Sequence, residues 1–223
     1  MFFNLKAGIV RMLYYNLLII FLLSTNVTFA AAGLTAKQIV ENGNTSGAMA
    51  CAGCHGSDGA GNNVTGNPRL AGLHADYLSK QLKDFKSGKR DNPLMHNIAK
   101  ALSDAEIDML AHYFSELNTS VTTKPTREKL NQQGEKLAVY GNWDNDVPAC
   151  FRCHGDQAKG GGPAMPSLAG QHENYIETQL QAFKTGARSN DPVGLMTAIA
   201  SRLSGSEIKA VSAYLANLNP AVK

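Results

Sequence analysis

Apolar residues recur along this chain at the three- and four-residue spacing of helices, and no stretch shows the period-two alternation of a strand. Ala36 to Asn42 and Arg127 to Tyr140 carry such a stripe, each ending at a Gly-Asn pair, Gly43-Asn44 and Gly141-Asn142, that reads as a helix stop. A second helix is predicted over His74 to Lys86 and again over His172 to Lys184, with Tyr77, Leu78, Leu82 and Phe85 on one face and Gly88 as the stop. Ser103-Asp104-Ala105-Glu106 and Ser204-Gly205-Ser206-Glu207 are both capping boxes, so a last helix opens at each serine. The pattern is all-α, and every element occurs twice.

The repetition extends to single residues. Leu70-Ala71-Gly72 matches Leu168-Ala169-Gly170, and the register then holds through Tyr77/Tyr175, Gln81/Gln179, Phe85/Phe183, Arg90/Arg188 and Asn92/Asn190. After a short insertion it resumes at Leu94/Leu195 and Met95/Met196 and runs to Leu117/Leu218. Two copies of roughly 85 to 95 residues follow, each small enough that a large covalent group would supply much of its core. The expected organisation is a segment 1–32, a first domain 33–117, an extended linker 118–125 rich in polar and β-branched residues up to Pro125, and a second domain 126–223.

Segment 1–32 has a different pattern. Lys6 and Arg11 precede an apolar run from Met12 to Leu23 that gives way to Ser24-Thr25-Asn26 and the small residues Ala30-Ala31-Ala32, the layout of a cleaved export signal. The run is short of the about 20 apolar residues a spanning helix needs. Export implies the periplasm. Of 21 basic and 18 acidic residues, two basic ones lie in this segment, so the remaining chain is close to neutral and nothing points to nucleic acid.

The chemistry is concentrated in the cysteines. All four lie in Cys51-Ala52-Gly53-Cys54-His55 and Cys150-Phe151-Arg152-Cys153-His154. Cys-x-x-Cys-His is the attachment signature of a c-type haem: two thiols one helical turn apart reach the two vinyl groups of one porphyrin, and the next imidazole lies beneath the iron. A zinc ribbon would need its cysteine pairs closer, and a redox dithiol has no use for the histidine in both copies. Two covalently bound haem c groups are therefore expected, with His55 and His154 as axial ligands.

The sixth iron position falls to Met95 and Met196, matched residues placed in a loop just before the final helix. A thioether is a soft ligand that favours ferrous iron and suits electron transfer. Met165 competes for the second site, but its counterpart is Asn67. His74 and His172 read as helix-opening residues, His96 would need a loop shift to reach an iron, and His112 has no partner. The stripe Lys80, Lys83, Lys86, Lys89 and Arg90 reads as a solvated helix face. Arg152 replaces Gly53 inside the second motif, so the His154 side is expected to hold the higher reduction potential.

Together these motifs, with a Pro-x-Leu-Ala-Gly stretch and Gln-Leu-x-x-Phe-Lys-x-Gly-x-Arg, resemble the dihaem cytochrome c4 family over nearly the whole chain after residue 32. The resemblance implies two tandem cytochrome c folds packed as a pseudo-symmetric pair, and loop carbonyls at Pro68 and Pro166 that orient His55 and His154. It implies an electron carrier and not an enzyme, serving membrane-bound respiratory complexes such as a terminal oxidase, in the periplasm or peripheral on the inner membrane. Two alternatives stand beside it. One is the haem subunit of a flavoprotein sulfide dehydrogenase, and the other a dihaem enzyme of peroxidase or thiosulfate dehydrogenase type, which would need an open sixth position on one haem. The family also crosses its first and last helices at small residues, a role that Gly134 fits better than Ala36 of the first copy.

Overall fold

A computed structural model describes residues 33–118 and 128–220. The expected export signal and, apart from Asn118, the expected linker lie outside the described residues.

The first copy opens with α1 (Ala36–Asn42) and a one-turn α2 (Ala52–His55), continues with α3 (Ala75–Lys86) and α4 (Pro93–Lys100), and closes with α5 (Asp104–Glu116). The second copy repeats the order as α6 (Glu128–Tyr140), α7 (Phe151–His154), α8 (Glu173–Thr185), α9 (Leu195–Arg202) and α10 (Gly205–Ala216). Among the described residues β pairing is limited to isolated bridges such as Asn62 with Asn67 and Asn142 with Val147.

The caps explain where these helices begin. Ser103 and Ser204 close capping boxes with Glu106 and Glu207, and Thr35 with Gln38 makes a third that opens α1. The box glutamates are also tied to the first helix of each copy: Asn44 Nδ2 donates to Glu106 at 3.1 Å and Asn142 Nδ2 to Glu207 at 2.8 Å. Both carboxylates are held below the usual range, Glu106 chiefly by the Ser103 backbone N–H and Glu207 by its Ser204 bonds against the opposing effect of burial. Each Gly-Asn stop thus does two things, ending one helix and fastening it to the last.

Each copy has its own core. Ile39, Val40, Leu78, Ile107, Leu110 and Phe114 are buried together in the first, and Leu137, Val147, Ile176, Ile208, Val211 and Leu215 in the second. In the second copy α6 crosses α10 at Gly134, where an added Cβ would lie 2.2 Å from the Ala210 carbonyl oxygen and 2.5 Å from the Tyr214 Cβ. Helix propensity alone would favour alanine here by about 1 kcal/mol. The clash is with backbone and outweighs that gain, so Gly134→Ala is expected to destabilise the protein by about 1–3 kcal/mol. A urea midpoint that stayed the same or rose would contradict this crossing.

From Leu34 onward the two copies form one compact unit. A polar seam joins them. The Arg69 N–H donates to Gln171 Oε1 and Gln171 Nε2 returns to the Arg69 carbonyl, both at 2.9 Å. Arg69 is 2 % exposed, and among the described residues its guanidinium donates to the carbonyl oxygens of Ala71, Ala169 (2.9 Å) and Gly170 (3.3 Å). Burial lowers its pKa to about 10, so it still carries its charge at neutral pH. His172 Nε2 lies 2.9 Å from the Ala60 carbonyl oxygen, and Asn174 Nδ2 donates to the Asn63 carbonyl at 2.8 Å.

Candidate functional site

One-turn α2 and α7 carry the two Cys-x-x-Cys-His motifs, and in each the His N–H donates to the carbonyl of the first cysteine at 2.9 Å. That turn brings both thiols and the imidazole to one wall of a cavity of about 670 Å³. The same cavity is lined by Cys51, Cys54, His55 and Met95 from the first copy and by Cys150, Cys153, His154 and Met196 from the second, with Pro68 and Pro166 beside the histidines. Every sequence-predicted site residue lies on it. Much of the remaining wall is apolar, including Leu70, Leu82, Ile98, Leu168, Leu180 and Ile199.

The histidines are pre-oriented. His55 Nδ1 lies 2.9 Å from the Pro68 carbonyl oxygen, and His154 Nδ1 lies 2.8 Å from that of Pro166. A carbonyl only accepts, so Nδ1 carries the proton and Nε2 keeps its lone pair for a metal. Burial lowers both imidazole pKa values, against a smaller opposing effect of the proline carbonyls, which keeps the rings neutral as ligation requires. Burial also lifts the Cys51 thiol and pushes Cys150 up to about 11, so neither is the low-pKa thiolate of a dithiol redox site. Among the described residues no cluster of three or more His, Cys, Asp or Glu could hold a separate metal ion.

The methionines are not in loops as the sequence suggests. Met95 lies in the first turn of α4 and Met196 in that of α9. Asn92 caps α4, with Pro93 supplying a fixed φ at the first helical position, and Asn92 Oδ1 accepts the Met95 N–H at 2.9 Å. In the second copy the inserted Pro192-Val193-Gly194 turn precedes α9, and Asp191 Oδ2 accepts the Met196 N–H at 2.6 Å. Met165 also lines the cavity, but it is adjacent to Pro166, whose carbonyl bonds His154, and its own carbonyl accepts the Gly161 N–H at 2.9 Å. His96 turns to the Phe85 carbonyl oxygen at 2.8 Å, and His74 accepts the Asp76 N–H at the start of α3.

A second group on the cavity wall is polar, buried and shared by the copies. Arg90 stacks over Phe85 at 4.6 Å and donates to Gln81 at 2.9 Å, and to Tyr175 and Gln179 across the seam at 2.8 Å. Arg188 stacks over Phe183 at 4.5 Å and donates to Gln179 at 2.8 Å and to Gln81 at 3.1 Å. Burial alone would lift Tyr175, but the two guanidiniums outweigh it and hold the phenol low. Arg90 is therefore no part of a surface stripe. Nor are its neighbours free cations, since Lys80, Lys83 and Lys86 pair with Asp84, Asp108 and Asp104. The sequence held one sign of this cluster: Gln81/Gln179 and Arg90/Arg188 are identical between copies at positions where a merely solvated helix could vary.

Two Cys-x-x-Cys-His turns with carbonyl-bonded histidines on one apolar cavity define a dihaem c-type cytochrome. Residues 40–118 and 134–219 each match the Cytochrome c family. A thiosulfate dehydrogenase electron acceptor from Thiomonas intermedia is 45% identical over 76% of this chain and 78% of its own length. Cytochrome c4 from Thiocapsa roseopersicina is 41% identical over 76% of this chain and 87% of its own. A cytochrome subunit of sulfide dehydrogenase from Chlorobaculum tepidum is 36% identical, over 44% of this chain. Among solved structures, reduced cytochrome c4 from Pseudomonas stutzeri superposes with a TM-score of 0.70 at 36% identity, covering 76% of this chain and 93% of that one. The thiosulfate dehydrogenase TsdBA from Marichromatium purpuratum gives 0.78 at 38% identity, covering 82% of this chain, which spans only 40% of that larger protein. The chain belongs to the cytochrome c family and, within it, to the dihaem cytochromes c4. It is a dihaem electron carrier with two covalently bound haem c groups.

Proposed function

We propose that this chain is the periplasmic electron acceptor of a dehydrogenase that oxidises thiosulfate, and that it passes the electrons towards a membrane-bound terminal oxidase. The donor is suggested by the 45% identical relative named for that role. The carrier reading rests on one observation above all: each copy sets a carbonyl-bonded histidine and a helix-anchored methionine on the same cavity.

The haem groups, when bound, supply a one-electron iron couple. The chain does the rest. Cys51 and Cys54, and Cys150 and Cys153, would hold them as thioethers, with His55 and Met95, and His154 and Met196, as axial ligands. The Pro68 and Pro166 carbonyls orient the imidazoles and raise their basicity. The methionines would favour the ferrous state and would leave no position for a substrate, while apolar walls exclude water. The buried Arg90 and Arg188 and the half-buried Tyr175 are the donors suited to the haem carboxylates. The apolar run Met12 to Leu23 supports export with cleavage of the first 32 residues. Among the described residues no helix is long and apolar enough to cross a membrane.

A flavoprotein partner is less well supported, because the sulfide dehydrogenase cytochrome matches only 44% of this chain. The decisive test is anaerobic mixing with thiosulfate and a thiosulfate dehydrogenase. Reduction by two electrons per molecule, with no reduction by thiosulfate alone, is the expected result. Oxidation of thiosulfate by the isolated chain would make it an enzyme instead.

A further inference from the structure

The two methionine turns differ in what holds them. The asparagines Asn92 and Asn190 match, but Pro93 follows Asn92 directly, whereas Asp191 stands between Asn190 and Pro192. In the first copy Asn92 caps its own helix and Asp91 is exposed. Among the described residues neither forms a hydrogen bond to the second copy.

In the second copy Asp191 stands before the inserted turn, and its carboxylate accepts the Met196 N–H and the Thr197 hydroxyl, the latter at 3.1 Å. Asn190 is then left to face the seam, where it is 5% exposed. Its Nδ2 donates to Asp84 Oδ2 at 2.6 Å and to Gln81 Oε1 at 3.0 Å, and its carbonyl accepts from Lys80 Nζ at 2.8 Å. Lys80 and Asp84 are themselves an ion pair one turn apart on α3. The equivalent positions on α8 are Thr178 and Ala182, which cannot return the grip. A buried carboxylate that accepts from an amide and a lysine forms charge-assisted bonds, roughly twice as strong as neutral ones. The anchor therefore acts in one direction.

We propose that Lys80 and Asp84 of the first copy are positioning residues for the second copy's axial methionine: by clamping Asn190 they fix the turn that presents Met196, whereas the matching Asn92 of the Met95 turn bonds only within its own copy. This rests on Met95 and Met196 being the sixth ligands. The two iron sites then differ in how readily an outside ligand displaces the methionine, and one copy controls the other.

The test is an imidazole titration of the ferric holoprotein, read by the near-infrared thioether band. In a Met95→Ala background only the second copy contributes that band, and in a Met196→Ala background only the first. Asp84→Ala should lower the imidazole concentration that removes the second copy's band by about tenfold, the change expected for losing one charge-assisted bond. Asp84→Asn, which keeps an acceptor for Asn190, should recover part of that loss, and Lys80→Met should act in the same direction as Asp84→Ala. The first copy's titration should not move. An unchanged second-copy titration, or equal shifts in both copies, would overturn the proposal. A Met95→Ala protein with no thioether band would instead overturn the ligand assignment, and the proposal with it. Haem content and helical circular dichroism of each variant separate these outcomes from misfolding, and if Asp84→Ala fails to fold, Lys80→Met carries the same reading.

Discussion

Met95→Ala and Met196→Ala should each abolish half of the ferric near-infrared thioether absorbance and lower the reduction potential of one haem on the order of 100 mV or more. Axial ligands command a range of about 0.8 V in haem proteins, and replacing a soft thioether by water or hydroxide removes the ligand that favours ferrous iron. Each effect should stay within its own copy, because Met95 and Met196 stand on separate helices, one in each copy. Met165→Ala is the matching control. Its neighbour Pro166 bonds the histidine, so its loss should leave the thioether band in place. If Met165→Ala removed the band and Met196→Ala did not, the second copy's ligand would be reassigned.

Gln171→Leu should destabilise the protein by about 2–4 kcal/mol. The side chain is 4% exposed and makes three bonds: its Oε1 accepts the backbone N–H groups of Arg69 and His172, and its Nε2 donates to the Arg69 carbonyl. Leucine matches its bulk but leaves both backbone groups of the nearly inaccessible Arg69 without that partner, and a buried unsatisfied polar group costs about 1–3 kcal/mol. Because these bonds run between the copies, their loss should also split one unfolding transition into two. A single transition at an unchanged urea midpoint would show that the copies are held together elsewhere.

What the sequence revealed is what depends on near neighbours. Cys51 to His55 is one helical turn, Ser103 and Glu106 are three residues apart, and His55 finds Pro68 within the same loop. The methionine turns were misplaced by a few residues. Eight-residue helices opened by Asn92-Pro93 and by an inserted turn after Asp191-Pro192 carry too short an apolar stripe to be distinguished from loops.

The seam was invisible for a different reason. Arg69 with Gln171 and Asp84 with Asn190 are about a hundred residues apart, and no local pattern records such pairs. A run such as Lys80, Lys83, Lys86, Lys89, Arg90 reads as surface because charged residues are mostly exposed. Arg90 departs from that rule because Phe85, Gln81, Tyr175 and Gln179 together receive its guanidinium. Arg152 follows the rule. It is exposed, so water and salt screen its charge, and its pull on the second haem's potential competes with the buried Arg90 and Arg188 that both copies share.

Carbon monoxide tests the proposed histidine and methionine ligation most directly. An iron held by histidine and methionine on both faces has no position to offer, so the absorption spectrum of the dithionite-reduced protein should be unchanged by the gas. With two covalent haems confirmed by intact mass, an unaltered reduced spectrum is the expected result. A carbon monoxide complex on one haem, amounting to half the absorbance, would show an open site and contradict the reading of this chain as a carrier alone.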